Sequence, residues 1–294
     1  MTPRHVVLVG AARSGTKILR EALAASSGSG RVPYDIGYVW RYGNEGHPDD
    51  ALRPECSSEK SARFIRHFVD RYADGQPSAV IEKTVGNTLR IPFVAEVLPD
   101  ASYVHLIRNG VDVIESTRRQ WTEPTDVRYL LAKARHFPLR LVPGYGVKYL
   151  QSLARRRTSA ERRVGSWGPR YPGIDDDLRH EDLLTVCARQ WRTAVTQARA
   201  DLGRLTAPVT EIRYERLVQD PRAELTRLVD FLDLDVSAAG LAAAAASITP
   251  ERQDIGRCSL DAGELAVVQR EAGSLLAHLD YPAALVENGP RHER

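Results

Sequence analysis

The stretch His5 to Lys17, HVVLVGAARSGTK, limits what this chain can fold into more than any other. Its first half, His5-Val6-Val7-Leu8-Val9, is a short apolar and mostly β-branched run, which predicts a strand buried on both faces and so a parallel sheet. Gly10 interrupts it, and Ala11 and Ala12 are small enough for a close turn. Arg13-Ser14-Gly15-Thr16-Lys17 then runs into Ile18–Ala24, which has helical composition and spacing. Two cations, two hydroxyls and several free backbone N–H groups therefore meet at a helix N-terminus, which makes an anion site, phosphate being the usual anion. The plainer alternative is an ordinary strand–turn–helix with a surface Arg and Lys.

The turn nearly matches the phosphate loop G-x-x-x-x-G-K-[ST], with its last two positions exchanged: Gly10, then Gly15-Thr16-Lys17. A nucleotide triphosphatase needs Lys directly after Gly to reach the outer phosphates. Here Thr16 takes that place and the nearest upstream cation is Arg13. In this the turn resembles the phosphosulfate loop of sulfotransferases that use 3′-phosphoadenosine 5′-phosphosulfate (PAPS), in which Lys or Arg precedes S-G-T.

Further along, strands predicted at Ala79–Ile81, Tyr103–Ile107 and Val209–Tyr214 alternate with helices predicted at Ser58–Tyr72, Leu89–Val97, Val111–Gln120 and Glu181–Leu202. That alternation argues for βαβ units. Arg13, Lys83 and Arg108 each lie at or just past the end of a predicted strand, where ligands of such sheets gather, so the three cations are expected to converge. A helix ending near Leu234, an Ala-rich helix at Ala238–Ser247 and a closing helix at Leu260–Leu279 follow, with Arg252–Ser259 read as a loop and a polar tail from Asn288.

The stretch Arg128–Arg170 is different, holding eleven Lys or Arg against one acid, Glu161, with leucines interleaved and Pro138, Pro143 and Gly144 as breaks. It reads as a basic helical insertion, about 122–179, either solvated or facing an anionic acceptor or membrane headgroups. The expected whole is one α/β domain over residues 1–294, a P-loop-like central parallel sheet flanked by helices.

Composition matters at three points. A net charge of +3 over 294 residues suits an anionic ligand without calling for nucleic acid. Cys56, Cys187 and Cys258 are odd in number and far apart, which argues against a disulfide framework or metal cluster and for a reducing compartment. The first apolar run is five residues long, too short for a leader or a membrane span, so a soluble cytoplasmic protein is expected.

Four more stretches carry the resemblance. In Tyr103–Ser116, YVHLIRNGVDVIES, a strand ends in Arg108 and Ser116 lies eight residues on, the family's spacing for the pair that grips the 3′-phosphate; Asn109-Gly110 replaces its common Asp-Pro. Glu82-Lys83-Thr84 with Asn87 is similar to the E-K-T/S-P-x-N stretch of the carbohydrate and tyrosyl-protein branch. Ile212–Leu217 is similar to its Y-E-D-L, which brings Tyr214 near the nucleotide. Asp254-Ile255-Gly256-Arg257 is similar to its I-G-R/K-W loop over the 3′-phosphate, with Cys258 in place of Trp. These matches run from His5 to about Tyr281, and no motif covers Thr122–Arg179.

The resemblance implies a soluble, bacterial-type enzyme that takes PAPS as co-substrate and uses no metal. Arg13, Ser14, Gly15, Thr16 and Lys17 would hold the 5′-phosphosulfate, Arg108, Ser116 and Arg257 the 3′-phosphate, and Lys83 the sulfonate or bridging oxygen. Sulfuryl transfer also needs a base for the acceptor hydroxyl. Val85 stands where cytosolic members carry His. The carbohydrate-type members use a Glu about two dozen residues after the loop cation. Asp35 lies 22 residues after Arg13 and is the chosen base, with His47, Glu45 and Glu82 as alternatives and a turn-stabilising Asp as the plain reading. His105, inside a strand, reads as core. The acceptor would be a hydroxyl-bearing small molecule, carbohydrate or lipid, against which Tyr34, Tyr38, Trp40 and Trp121 could stack.

Two rivals remain. A P-loop kinase needs a strand-ending Asp for Mg²⁺, whereas these strands end in Glu82, Arg108 and Tyr214. A non-catalytic module would bind the nucleotide and transfer nothing.

Overall fold

The computed structural model describes residues 3–73, 79–123, 167–249 and 255–284. At its centre is a five-stranded parallel sheet in the order β2-β3-β1-β4-β5: β1 Arg4–Val9, β2 Gly30–Arg31, β3 Ala79–Glu82, β4 Ser102–Ile107 and β5 Val209–Arg213. The apolar run takes the middle place because both of its faces are covered. Val6 and Leu8 pack with helix α1 (Thr16–Ser27), while Val7 and Val9 pack in the cluster on the opposite face. Each such side chain contributes about 1.5–3 kcal/mol on burial, which makes β1 a firm base for the turn that follows it.

Around the sheet, α2 (Gly37–Trp40), α3 (Glu59–Asp70), α4 (Ile91–Val97), α5 (Gly110–Thr122), α6 (Ile174–His180) and α7 (Leu183–Leu202) precede β5. After it come α8 (Tyr214–Gln219), α9 (Pro221–Phe231), α10 (Ala238–Ala246), α11 (Ile255–Ser259) and α12 (Ala262–His278). Local chemistry sets several of these starts. Asn109 caps α5 by accepting from Val111 N, Asp182 caps α7, and Asp261 with Glu264 forms a capping box on α12.

The order of strands places the chain's change of direction at β1. From there the chain first fills the β3 side and then the β4 side, which leaves a crevice at the carboxyl ends of β3, β1 and β4. Register brings those ends together: Val7 aligns with Glu82, Val9 with His105, and Ile107 with Arg213.

Four expectations change. β2 pairs with β3 although Gly30 closes the Ser26–Gly30 break and Arg31 opens the aromatic stretch to Pro48, neither with a strand signal. The aromatic loop Arg31–Pro48, irregular by its sequence pattern, holds α2. Arg252–Ser259, read as a loop, contains the helical turn Ile255–Ser259; residues 250–254 lie outside the described residues. Tyr34, Tyr38, Trp40 and Trp121 do not stand ready to stack on an acceptor: all four are buried, Trp40 completely, and pack in the core. His105 is buried on β4 as expected and faces Glu211 of β5. Nearly all of the basic stretch Arg128–Arg170, and the tail from Asn288, lie outside the described residues. Among the described residues no helix is long and apolar enough to cross a membrane.

Candidate functional site

The turn from β1 into α1 is held open by two left-handed residues, Arg13 at φ 69 and Gly15 at φ 95. Only glycine fits at position 15. A Cβ there would lie 2.5 Å from Cδ2 of Tyr214, so the tyrosine ring packs directly on the turn. Ser14 is buried, and its hydroxyl has no hydrogen-bond partner among the described residues. An orphaned buried hydroxyl beside the N-terminus of a twelve-residue helix fits an anion that completes it. Thr16 is buried in the first turn and Lys17 is exposed on it.

Arg13 and Arg108 come together. Arg13 Nε donates to Ser116 Oγ at 3.0 Å, and Arg108 Nη1 donates to the Arg13 carbonyl at 3.3 Å. The Arg108 guanidinium lies over the Tyr214 ring, 4.4 Å from its centroid, a cation–π contact that also fixes its plane. Arg13, Arg108, Ser116 and Tyr214 are thus one cluster, assembled from the turns after β1 and β4 and from α5 and α8. Arg257 stands apart from these contacts. It is half-buried on α11 and its Nη2 donates to the carbonyl of Ala283.

Two residues that sequence reasoning passed over complete this end of the site. Asp112 sits one helical turn after Arg108 and accepts from its Nη2 at 3.4 Å. Glu215 accepts from Asn109 N at 2.8 Å and from the Tyr281 hydroxyl at 2.9 Å, which pins the turn after β4. The four-residue spacing of Arg108 and Asp112 is the signal that could have found the first; Glu215 lies inside the quoted Tyr214 motif.

At the tip of β3, Lys83 Nζ lies 3.7 Å from Asp35 Oδ2. Asp35 Oδ2 also accepts from Val85 N at 3.0 Å, and its Oδ1 accepts from Gly37 N at 3.3 Å. Asp35 is therefore both the turn residue and a quarter-exposed carboxylate beside a cation, 26% against 14% for Lys83. His47 Nδ1 contacts the Asp49 carbonyl and Glu45 accepts from Gly43 N, so both serve the fold of their own loop.

Glu82 is different in kind. It is completely buried and takes three side-chain donors: Trp40 Nε1 at 3.1 Å and Thr84 Oγ1 at 2.5 Å on Oε1, and Asn87 Nδ2 at 2.9 Å on Oε2. Thr84 Oγ1 in turn accepts from Ile36 N, so Glu82 ties the loop carrying Asp35 onto β3. Burial pushes its carboxyl up to about 7, against the pull of the Thr84 and Trp40 hydrogen bonds. A carboxyl that holds its proton more tightly folded than unfolded stabilises fully below its ordinary value of 4.5 and loses that contribution as pH rises to about 7. We expect thermal melts between pH 5 and 8 to show wild type losing roughly 3 kcal/mol relative to Glu82→Gln. Parallel pH dependences for the two proteins would contradict this account of Glu82.

Among the described residues, no group of three or more His, Cys, Asp or Glu is placed to hold a metal ion. Compared with known proteins, the fold is shared with sulfotransferase STF9 from Mycobacterium avium, 12% identical with a TM-score of 0.57 over 97% of this chain and 79% of that one. It is shared also with a sulfotransferase from Alicyclobacillus acidocaldarius, 17% identical with a TM-score of 0.50 over 96% and 98%. At such identities the likeness is one of fold. Comparison with curated protein sequences gives no match. A profile of the sulfotransferase family matches residues 3–139 and 149–238, more than half of the chain. The match takes in the β1 turn, Glu82–Asn87, Arg108–Ser116 and Tyr214, together with much of the middle stretch that no short motif covers; the Gly256-Arg257 turn lies beyond its end. The residues that meet at the head of the sheet are thus residues of the matched region, and the chain belongs to the sulfotransferase family.

Proposed function

We propose that this chain transfers a sulfuryl group from PAPS to the hydroxyl of a small-molecule, carbohydrate or lipid acceptor and releases adenosine 3′,5′-bisphosphate. The observation that supports it most is the meeting of Arg13, Arg108 and Ser116 at the head of the sheet, from positions up to 103 residues apart. PAPS supplies an activated sulfur with a phosphate leaving group. Arg108 and Ser116 bind the 3′-phosphate, Arg by paired N–H donors and Ser by a neutral one, with Arg257 closing from α11. Ser14, Gly15 and Thr16 offer hydroxyls and backbone N–H groups to the 5′ end, and Lys17 adds charge at its approach.

Lys83 and Arg13 meet the negative charge that grows on the leaving oxygen. Asp35 takes the acceptor proton as its oxygen bonds to sulfur and the sulfur–phosphate oxygen bond breaks. With Val85 at the position of the cytosolic members' His, a carboxylate base is the remaining choice among the groups near Lys83.

Calorimetric titration with adenosine 3′,5′-bisphosphate and with ATP plus magnesium tests the reading. The bisphosphate is expected to bind at least tenfold more tightly, since ATP has no group for Arg108 and Ser116. Equal or tighter binding of magnesium ATP would favour a kinase instead.

A further inference from the structure

Asp112 lies buried in the first turn of α5, five percent exposed, at a place where the phosphate-binding reading has no use for an anion. A carboxylate near a site for a phosphate dianion weakens that anion by simple Coulomb repulsion, so its presence needs another cause. Its two oxygens face different elements. Oδ2 accepts from Arg108 Nη2 at 3.4 Å, and Oδ1 accepts from the backbone N of Gly256 at 2.8 Å. The second contact is close: a Cβ on Gly256 would lie 2.6 Å from the Val111 carbonyl and 2.7 Å from Asp112 Cα, so α11 is seated directly on the first turn of α5. The residue after Gly256 is Arg257. One side chain therefore holds both Arg108 and the helix that carries Arg257, two cations far apart in the sequence.

We propose that Asp112 is the positioning residue of the 3′-phosphate subsite and sets this chain's preference for a 3′-phosphorylated adenosine nucleotide; this rests on the reading given under Proposed function. Asp112 does not touch the nucleotide. It fixes the Arg108 fork, whose plane Tyr214 already defines and whose other edge rests on the Arg13 carbonyl, so that the donors face a phosphate without rearrangement. It also docks α11 before ligand arrives. The loss on removing it falls on the 3′-phosphate, while the bare electrostatic gain falls on every phosphate near the turn.

The test is calorimetry on the full chain with two probes that differ only in the group concerned, adenosine 3′,5′-bisphosphate and adenosine 5′-monophosphate. Asp112→Asn keeps an oxygen for Gly256 N and loses the charge that orients Arg108; Asp112→Ala loses both. For wild type we expect a clear preference for the bisphosphate. In Asp112→Asn the bisphosphate is expected to weaken by about tenfold with the monophosphate unchanged or slightly tighter, and in Asp112→Ala the preference falls further. Equal weakening of both nucleotides would show a merely structural role and overturn the proposal, as would equal tightening, the signature of a carboxylate that only lowers the local field. Should Asp112→Ala melt below the assay temperature, Asp112→Asn decides alone. Wild type that binds the two probes equally, or binds neither, would instead refute the PAPS reading itself, an outcome seen before any variant is made.

Discussion

Arg108→Ala is expected to weaken adenosine 3′,5′-bisphosphate by about a hundredfold or more, from two charge-assisted hydrogen bonds of roughly 1.5–3 kcal/mol each, less what water returns. The size follows from how the guanidinium is held. Tyr214 covers one face, the Arg13 carbonyl and Asp112 take one N–H each, and the group is almost fully buried, so little entropy is lost when phosphate arrives. Arg108→Lys is expected to recover only part of the affinity. An ammonium gives a point charge without the paired donors, and it loses the stacking on Tyr214. Calorimetry on the three proteins measures this, with a thermal melt of each without ligand, because removing Arg108 also leaves Asp112 buried without its cation. Undiminished affinity in Arg108→Ala would place the 3′-phosphate elsewhere.

Asp35→Asn should lower sulfuryl transfer by about a hundred- to ten-thousandfold, the range for a positioned general base, while nucleotide affinity stays within about twofold. The separation of the two effects is the point. Asp35 meets Lys83 and Val85 at the tip of β3, whereas Arg108, Ser116 and Tyr214 lie at the β4 side. Release of adenosine 3′,5′-bisphosphate from PAPS, followed with a panel of phenols, sugars and hydroxylated lipids, reads the chemistry; calorimetry reads the binding. If both fall together, Asp35 serves the loop and not the proton, for it also accepts from Gly37 N and Val85 N. If neither falls, the base is another group, and a module that binds without transferring regains standing.

The outline of the fold was readable because it depends on local rules. The run Val6–Val9 is apolar on both faces and so had to be a covered parallel strand, and glycine at position 15 permits a left-handed turn that other residues resist. Arg108 and Ser116 were marked as a pair by the resemblance to the family's 3′-phosphate motif, whose spacing runs from a strand end along one helix. The aromatic loop was misread for a matching reason. Tyr34, Tyr38 and Trp40 are apolar and polar at once, and a one-dimensional pattern does not say whether such a ring faces a ligand or, as here, the interior of the sheet's second face. The helical turn Ile255–Ser259 was missed because it is held from outside, by Asp112 on Gly256 N, more than by its own propensity.

What the amino-acid order determined by itself was therefore the β1 turn, the alternation of strands with helices and the cations at the strand ends, all consequences of hydrophobic period and backbone sterics within a few residues. What only the tertiary structure decided was which distant groups meet: Arg13 with Ser116, Asp35 with Lys83, Glu82 with Trp40, and Asp112 with Gly256. Hydrogen bonds and ion pairs act over a few ångströms, and the distance that counts is set by the strand order β2-β3-β1-β4-β5, which no local stretch of the chain encodes.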